Sequence, residues 1–238
     1  MVKKYLQNCG DWLIIDSKST TKVRNRYLYD CHFDGYTRKY VQRLDEIKSG
    51  LIKNIDQPDA FGFVCDARNV DTSIYFIWKN IERRCYYKDI DGYSNYGAKG
   101  VYVSEYFKYY SNFKRWFTEH KLEYSCDIDK DCICEIEGIY PKCYSEKTCI
   151  LIPKTINTFL STLGHGIYKT KHNTYCVRSR RVNKKINKNF KIFTDAVNFK
   201  MELDREYLEI LLKKFILPET TINYLRKYVE ICRYVDRP

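Results

Sequence analysis

Residues 163–200 read LGHGIYKTKHNTYCVRSRRVNKKINKNFKIFTDAVNFK, and this stretch decides how the chain is read. Ile167-Tyr168-Lys169-Thr170 and Tyr175-Cys176-Val177-Arg178 are short β-rich runs either side of Asn173-Thr174, a turn pair, and so predict a hairpin. Lys188 to Ile192 is the expected third strand. Thr194 is placed to cap a long helix from Ala196 to Phe215, which Leu217-Pro218 ends. A last helix is expected from Glu219 to about Tyr234. The stretch holds ten Lys and Arg against the single acid Asp195, so it carries most of the chain's net charge of +12. A cationic field of that density suits phosphate backbones. Aromatic residues interleave with the charge at Tyr168, Tyr175 and Phe190, as suits a sheet laid into the major groove of duplex DNA. The residues expected to touch DNA are Lys169, Lys171, Tyr175, Arg178, Arg180, Arg181, Lys184, Lys185 and Lys188. A merely solvated basic face is the plainer alternative. Three arginines in four positions weigh against it, since guanidinium suits bidentate contact with phosphates and bases. RNA stays open beside DNA.

Upstream, the charge reverses. Lys121 to Tyr140 holds Glu123, Asp127, Asp129, Asp131, Glu135 and Glu137 against Lys121 and Lys130. Hard divalent cations prefer carboxylate oxygens, so this acidic segment is a candidate metal site; a solvated acidic loop is the alternative. Cys149-Ile150-Leu151-Ile152 reads as a strand, followed by a helix from Pro153 to about Leu160. Farther upstream, Asp71-Thr72-Ser73 is placed to cap a helix from Ile74 to Tyr86, whose Ile74, Ile77, Trp78 and Ile81 share helical spacing. Gly92 to Gly100 reads as a loop and Val101-Tyr102-Val103 as a strand. A single helix is expected from Ser104 through His120, with Phe107, Phe113, Trp116 and Phe117 as core.

Residues 1–57 read as a small β-rich module. Trp12-Leu13-Ile14-Ile15 and Arg26 to Cys31 are strands, Asp34-Gly35 is a turn, and Asp45 to Lys53 is a short helix or turn. The boundaries that follow are 1–57, 70–162, 163–217 and 218–238. The fold class expected is α+β. A hydrophobic share of 44% excludes a disordered chain. No apolar run approaches the roughly 20 residues that cross a bilayer, and Met1 to Gly10 lacks the apolar core of a signal peptide. The expectation is a soluble, intracellular protein with no membrane partner and no small-molecule ligand. The 11 cysteines are odd in number and scattered from Cys9 to Cys232. Cys126, Cys132, Cys134, Cys143 and Cys149 lack paired zinc-ligand spacing, so free thiols are expected and zinc is not.

The middle of the chain resembles phage-encoded HNH endonucleases, the group that includes free-standing homing endonucleases. The resemblance lies in Trp78-Lys79-Asn80-Ile81-Glu82-Arg83-Arg84-Cys85-Tyr86, Phe113-Lys114-Arg115-Trp116, Asp129-Lys130-Asp131, Tyr144-Ser145-Glu146-Lys147-Thr148-Cys149 and Pro153-Lys154-Thr155-Ile156-Asn157. Gly166-Ile167-Tyr168, Tyr175-Cys176-Val177 and Phe193-Thr194-Asp195-Ala196-Val197 resemble the plant ethylene-response-factor type of DNA-binding domain, three strands and then a helix. Together these cover roughly Ile74 to Phe215. The resemblance implies a ββα-metal centre in residues 70–162, in which an Asp and an Asn bind one ion and a His serves as general base. Carried over, Asp129 or Asp131 and Asn157 would hold Mg²⁺ or Mn²⁺. Lys130 stands at the general-base position, and Ser145 or Tyr144 where the middle Asn belongs. A solvent-exposed lysine is protonated at pH 7 and accepts no proton. His120, just before the acidic segment, is the substitute base to consider; a helix-end histidine interacting with the dipole is the alternative. The N-terminal module resembles small modules of similar phage proteins, some with zinc; here Cys31-His32 is all that remains of such ligands.

Two functions follow. One is a metal-dependent DNA endonuclease of homing type, nicking or cleaving double-stranded DNA in the cytoplasm of an infected bacterial host. The other is an inactive descendant acting as a DNA-binding regulator, or as an anti-defence factor that binds a host protein. Lys130 is the residue that discriminates them.

Overall fold

The computed structural model describes residues 3–67, 70–181, 184–231 and 234, with the side chains of Thr21, Arg181 and Lys184 outside that description. The fold is α+β, and the chain divides into two compact units: residues 1–75 with 108–111, and residues 76–107 with 112–238.

The first unit is an antiparallel meander of β1 (Lys4–Leu6), β2 (Trp12–Val23), β3 (Arg26–Phe33) and β4 (Lys39–Arg43), in that spatial order, followed by α1 (Leu44–Lys48). Leu13, Cys31, Phe33, Tyr40 and Ile47 form its core. Leu13 faces Phe33 across the β2–β3 register, and the Phe33 and Tyr40 rings meet edge to face at 5.3 Å. The strands are longer than the sequence runs suggest. Polar Ser17 to Lys22 continues β2, because Ser17, Lys18 and Lys22 pair with β3 across a register shift whatever their side chains are. Residues 108–111 join this unit through a ladder in which Val64 N–H donates to Lys108 O at 3.0 Å and Tyr110 N–H donates to Val64 O at 3.0 Å. That ladder falls where one helix was expected from Ser104 to His120. The helix is instead two, α3 (Glu105–Lys108) and α4 (Tyr110–His120).

The second unit begins within α2 (Thr72–Tyr86). Asp71 accepts from the Ser73 and Ile74 backbone N–H groups at 3.0 and 3.2 Å, the cap its sequence position predicts. The 92–100 loop winds into two single 3₁₀ turns. β5 (Tyr102–Val103) pairs in parallel with β7 (Cys143–Tyr144). The acidic segment is a strand and a helix: β6 (Cys126–Asp129) and α5 (Asp131–Ile136). β6 pairs antiparallel with β8 (Ile150–Pro153), and α6 (Lys154–Leu160) follows with Pro153 as the residue before its first turn. Three further strands, β9 (Ile167–Lys169), β10 (Tyr175–Arg181) and β11 (Lys184–Phe190), form an antiparallel sheet in the order β11-β10-β9.

The third strand was expected at Lys188 to Ile192. It starts earlier because Lys184 to Phe190 pairs residue for residue with β10. α7 (Phe193–Leu212) starts at Phe193, with Ile192 before it and no side-chain cap, so Thr194 lies inside the first turn. The Phe193 ring packs on Tyr175 at 5.2 Å, which holds this end of the helix on the sheet. α8 (Glu219–Ile231) ends the described helices; the expected continuation to Tyr234 runs through residues 232–233, outside the described ones. α5, β8, α6, α7 and α8 share one core that includes Cys132, Ile152, Ile156, Phe159, Leu208, Leu211, Leu225 and Val229. Among the described residues, no helix is long and apolar enough to cross a membrane.

Candidate functional site

Two features of the second unit bring chemistry-bearing side chains together: a cavity over β6 and the open face of the three-stranded sheet. The cavity encloses about 780 Å³ and is lined by the β6 residues, by Lys130, Asp131 and Tyr144, by Asn80, Arg83 and Arg84 of α2, and by Lys154 and Asn157 of α6. Asp127 and Asp129 are two apart on β6 and so share one face. Opposite them in the register stand Ile152 and Ile150, and the chain then turns directly into α6. That turn carries Asn157 to the strand, where its Nδ2 donates to Asp127 Oδ2 at 2.9 Å.

The expected metal residues therefore separate. Asn157 meets Asp127, a partner not expected from the sequence, while Asp129 lies on the same strand face. Alternation along an acidic strand was the signal that could have found Asp127, had the segment been read as a strand. Asp129 is buried and accepts from the Cys132 backbone N–H at 2.9 Å. Burial, with the nearby Asp131 charge, pushes its carboxyl up to about 6 against the pull of Cys132 N–H, Lys130 and Lys142. Asp131 points Oδ1 at two ammonium groups, Lys130 at 2.9 Å and Lys142 at 2.7 Å. Burial raises its carboxyl, but these two lysines outweigh burial and hold it below the usual range. A carboxylate oxygen already shared by two cations is a weak partner for a third.

Lys130 was expected to be exposed. It is 4% exposed, and besides Asp131 it lies over the Tyr96 ring at 4.7 Å and the Tyr144 ring at 5.2 Å. Arg84 approaches the same two rings, at 4.7 and 5.8 Å, and donates to Tyr96 Oη at 3.2 Å. Tyr96 and Tyr144 stack at 6.4 Å, and each of these cations approaches both rings. Two positive groups are thus held by ring faces, at the edge of a carboxylate-bearing strand. Ser145 serves structure: its hydroxyl lies 2.8 Å from Thr148 Oγ1 and accepts from Thr148 N–H at 3.1 Å. His120 is not among the cavity-lining residues; its Nδ1 lies 2.8 Å from Trp116 O and its ring stacks on Trp116 at 5.0 Å.

No group of three or more His, Cys, Asp and Glu placed to hold a metal exists among the described residues. The donor set at the cavity is two carboxylates and an amide, all hard oxygen donors. That fits Mg²⁺ or Mn²⁺ better than a softer ion, since Mg²⁺ commonly takes one or two carboxylates and fills its shell with water and substrate phosphate. Cys126, Cys132, Cys134, Cys143 and Cys149 are all free thiols. Burial raises the Cys132, Cys134, Cys143 and Cys149 thiols, which disfavours the thiolate that zinc requires. At the other expected zinc remnant, Cys31 is pushed up to about 11 by burial, and His32 Nδ1 lies 2.7 Å from Asp16 Oδ1.

The three-stranded sheet sorts its residues onto two faces. Directly paired residues point the same way, and neighbours along a strand point opposite ways. Val177, paired with Ile167 and Lys188, is fully buried. On its face the Tyr175 and Phe190 rings pack on Phe193 and Phe199 of α7, each at 5.2 Å. Lys188 covers Phe190 and Phe199 at 5.2 and 4.4 Å, and Lys169 approaches Tyr175 at 6.0 Å. The other face carries exposed Tyr168, Arg178, Arg180, Lys185, Asn187 and Asn189, with Cys176 buried among them and its thiol donating to Asn187 Oδ1 at 2.9 Å. Arg178 lies over the Tyr168 ring at 5.6 Å.

Of the residues expected to touch DNA, Arg178, Arg180 and Lys185 thus share the open face. Lys169, Tyr175 and Lys188 belong to the helix side, and Lys171 is exposed in the turn between β9 and β10. Arg181 and Lys184 pair at the end of the β10–β11 ladder, and their side chains lie outside the described ones. Asn187 and Asn189 are the additions that alternation supplies. Lys200, counted in the basic stretch by sequence, is buried on α7 and bonds both Asp204 oxygens at 2.6 and 2.5 Å.

No family model matches the chain, and no curated protein and no solved structure matches it either.

Proposed function

We propose that the protein binds double-stranded DNA through the open face of its β9–β11 sheet, and that its β6–β8–α6 centre hydrolyses a phosphodiester bond with Mg²⁺ or Mn²⁺. The observation that carries this is the sorting of the sheet. Arg178, Arg180 and Lys185 stand on one uncovered face with Asn187, Asn189 and Tyr168, and none of the three cations has a carboxylate partner among the described residues. Guanidinium and amide groups side by side can grip phosphates and read purine edges.

At the cavity, Asp127, Asp129 and Asn157 would hold the ion. A bound divalent ion there would polarise the phosphoryl group and acidify water. Arg84 and Lys130, fixed against Tyr96 and Tyr144, would neutralise phosphate oxygens, with Arg83 and Lys154 at the rim. The resemblance to phage HNH endonucleases agrees with this order of strand, strand and helix. One observation favours the second reading, an inactive DNA-binding regulator or host-protein-binding factor: among the described residues, the cavity lining includes no histidine, and Lys130 at the general-base position is an ion-paired ammonium.

Nicking of supercoiled plasmid with Mg²⁺ or Mn²⁺ separates the two. The expected result is metal-dependent nicking by the wild type that Asp127→Ala and Asn157→Ala abolish. Absence of nicking on any duplex with either metal, with binding intact, leaves the regulator. For binding, Arg178→Ala with Arg180→Ala should lower the slope of log affinity against log salt by about 0.9 for each phosphate that is no longer neutralised. Unchanged affinity and slope in that variant would remove the sheet from the interface.

A further inference from the structure

We infer that the β2–β3 ribbon of the first unit is a second duplex-DNA contact, which reaches the major groove as a two-stranded arm. The inference rests on the ribbon's own residues and stands whether or not the three-stranded sheet binds DNA.

β2 runs for twelve residues and β3 follows it to the tip, but the strands outside this pair do not. β1 pairs no farther along it than Ile14, and β4 pairs with β3 only from Leu28 to His32. Beyond Leu28, β2 and β3 continue as two strands, with Lys22 paired to Tyr27 and Val23 to Arg26, and with no strand on either outer edge among the described residues. They close in a turn where Arg24 and Asn25 have φ of 50° and 62°, the paired left-handed geometry of a tight hairpin. Lys22 to Tyr27 are all exposed. A register shift between Lys18 and Lys22 marks a bulge, which increases twist in such a ribbon.

Nothing in this arm gives it a core to join. What it carries is charge: Lys18, Lys22, Arg24 and Arg26, with no acid from Ser17 to Arg26. Arg26 is committed to Asp45 at 2.6 Å. Lys18, Lys22 and Arg24 have no carboxylate partner among the described residues. Two of them are held in place instead: Lys18 and Lys22 ammonium groups lie 3.6 and 4.5 Å from the centre of the exposed Tyr27 ring. Of the acids near the base of the arm, Asp16 is held by His32 and Lys39, and Asp30 accepts from the neutral Ser17 hydroxyl. An unpaired two-stranded ribbon matches the width of the major groove. Lys22 and Arg24 on the two-stranded tip, with Lys18 opposite Tyr29 at its base, are cations without a carboxylate partner among the described residues and suit phosphates on the groove walls. Val23, 46% exposed beside the tip, is available for apolar contact with a thymine methyl.

The test is a fluorescence-anisotropy titration of the full chain with a labelled mixed-sequence duplex across a series of salt concentrations. The variants are Lys18→Ser, Lys22→Ser and Arg24→Asn combined, asparagine being chosen because it tolerates the left-handed backbone. Expected is a fall in affinity of about tenfold or more at low salt, with a salt slope lower by up to about 2.7, or about 0.9 per phosphate. The charge-retaining set Lys18→Arg, Lys22→Arg and Arg24→Lys should bind as wild type. Repeating the neutral set in the Arg178→Ala, Arg180→Ala background isolates the arm: a further loss supports it, even if the sheet contributes nothing. Should the combined variant unfold, single Lys22→Glu is measured instead and should also weaken binding. Affinity and salt slope unchanged in a folded neutral variant would overturn the inference, as would a wild type that binds RNA hairpins and ignores duplex DNA.

Discussion

Asp129 joins the cavity's chemistry to the stability of the fold. Its carboxyl is pushed up to about 6 from an unfolded value of 3.8, chiefly by burial. At the acid end, below both values, it is protonated in the folded and unfolded chain alike and costs nothing. Through the window between the two values the folded chain keeps a proton that the unfolded chain has released. Stability is therefore lost as pH rises through that window, and it stays lower above it. Asp129→Asn should remove a penalty on the order of 2–3 kcal/mol at neutral pH and flatten that part of the profile, as urea unfolding at about pH 4 and about pH 8 would show. An equal response at both values would mean that Asp129 is ionised without penalty. Gly97 makes a steric demand of the same locality: a Cβ there would lie 2.1 Å from Cys85 O and 2.3 Å from the Tyr93 ring. Gly97→Ala should cost at least about 1–3 kcal/mol and loosen the turn that holds Tyr96. Chemical denaturation with tyrosine fluorescence would measure it. The residue types at the cavity were legible in the sequence; which carboxylate meets Asn157 was not, because that depends on strand pairing.

Among the elements, α7 explains why a basic stretch becomes a one-sided surface. Ala196, Phe193 and Phe199 give β9–β11 something apolar to lie on, so Tyr175, Val177 and Phe190 turn inward and Arg178 and Arg180 must turn outward. Lys200 and Asp204, four apart on the same helix, are buried together. Such a pair is costly to break and cheap to replace. Lys200→Met alone should destabilise by about 3–5 kcal/mol, and Lys200→Met with Asp204→Leu should recover most of that loss. Denaturant midpoints for the three proteins decide it; equal losses in the single and double variants would deny the pair its structural role. The existence of α2, α6, α7 and α8 was legible from apolar spacing and from Pro153 and Pro218. β6 and α5 were not, since a strand made of Cys-Asp-Ile-Asp has no hydrophobic signature of its own and is set by its ladder with β8. The division of α3 from α4 likewise comes from a backbone ladder to Val64, which local propensity does not register.

For the molecule as a whole, charge and core are divided between two units. Each has its own buried cluster, Leu13, Cys31 and Phe33 in one and Ile152, Ile156 and Leu208 in the other. Leu13→Ala should therefore destabilise the first unit by about 2–5 kcal/mol while amides of α7 and α8 keep their exchange protection. Hydrogen exchange read by mass spectrometry would show it, and a uniform loss across both units would contradict it. On α7 and α8, Arg205 pairs with Glu230 at 2.6 Å and Arg226 with Glu209 at 2.7 Å, while exposed Lys227 has no carboxylate partner among the described residues. Among the described residues, the sheet face leaves Arg178, Arg180 and Lys185 unmatched, and the β2–β3 arm leaves Lys18, Lys22 and Arg24 so. What the amino-acid order determined unaided was the α+β class, the principal helices and the clustering of positive charge near residue 180, because these follow from local composition and periodicity. Which cations remain open, which are buried with a carboxylate, and that Asp127 rather than Asp131 meets Asn157, only the tertiary structure decided. The direction in which a side chain points is set by strand partners and by the surface the strand lies on, and both are distant in sequence.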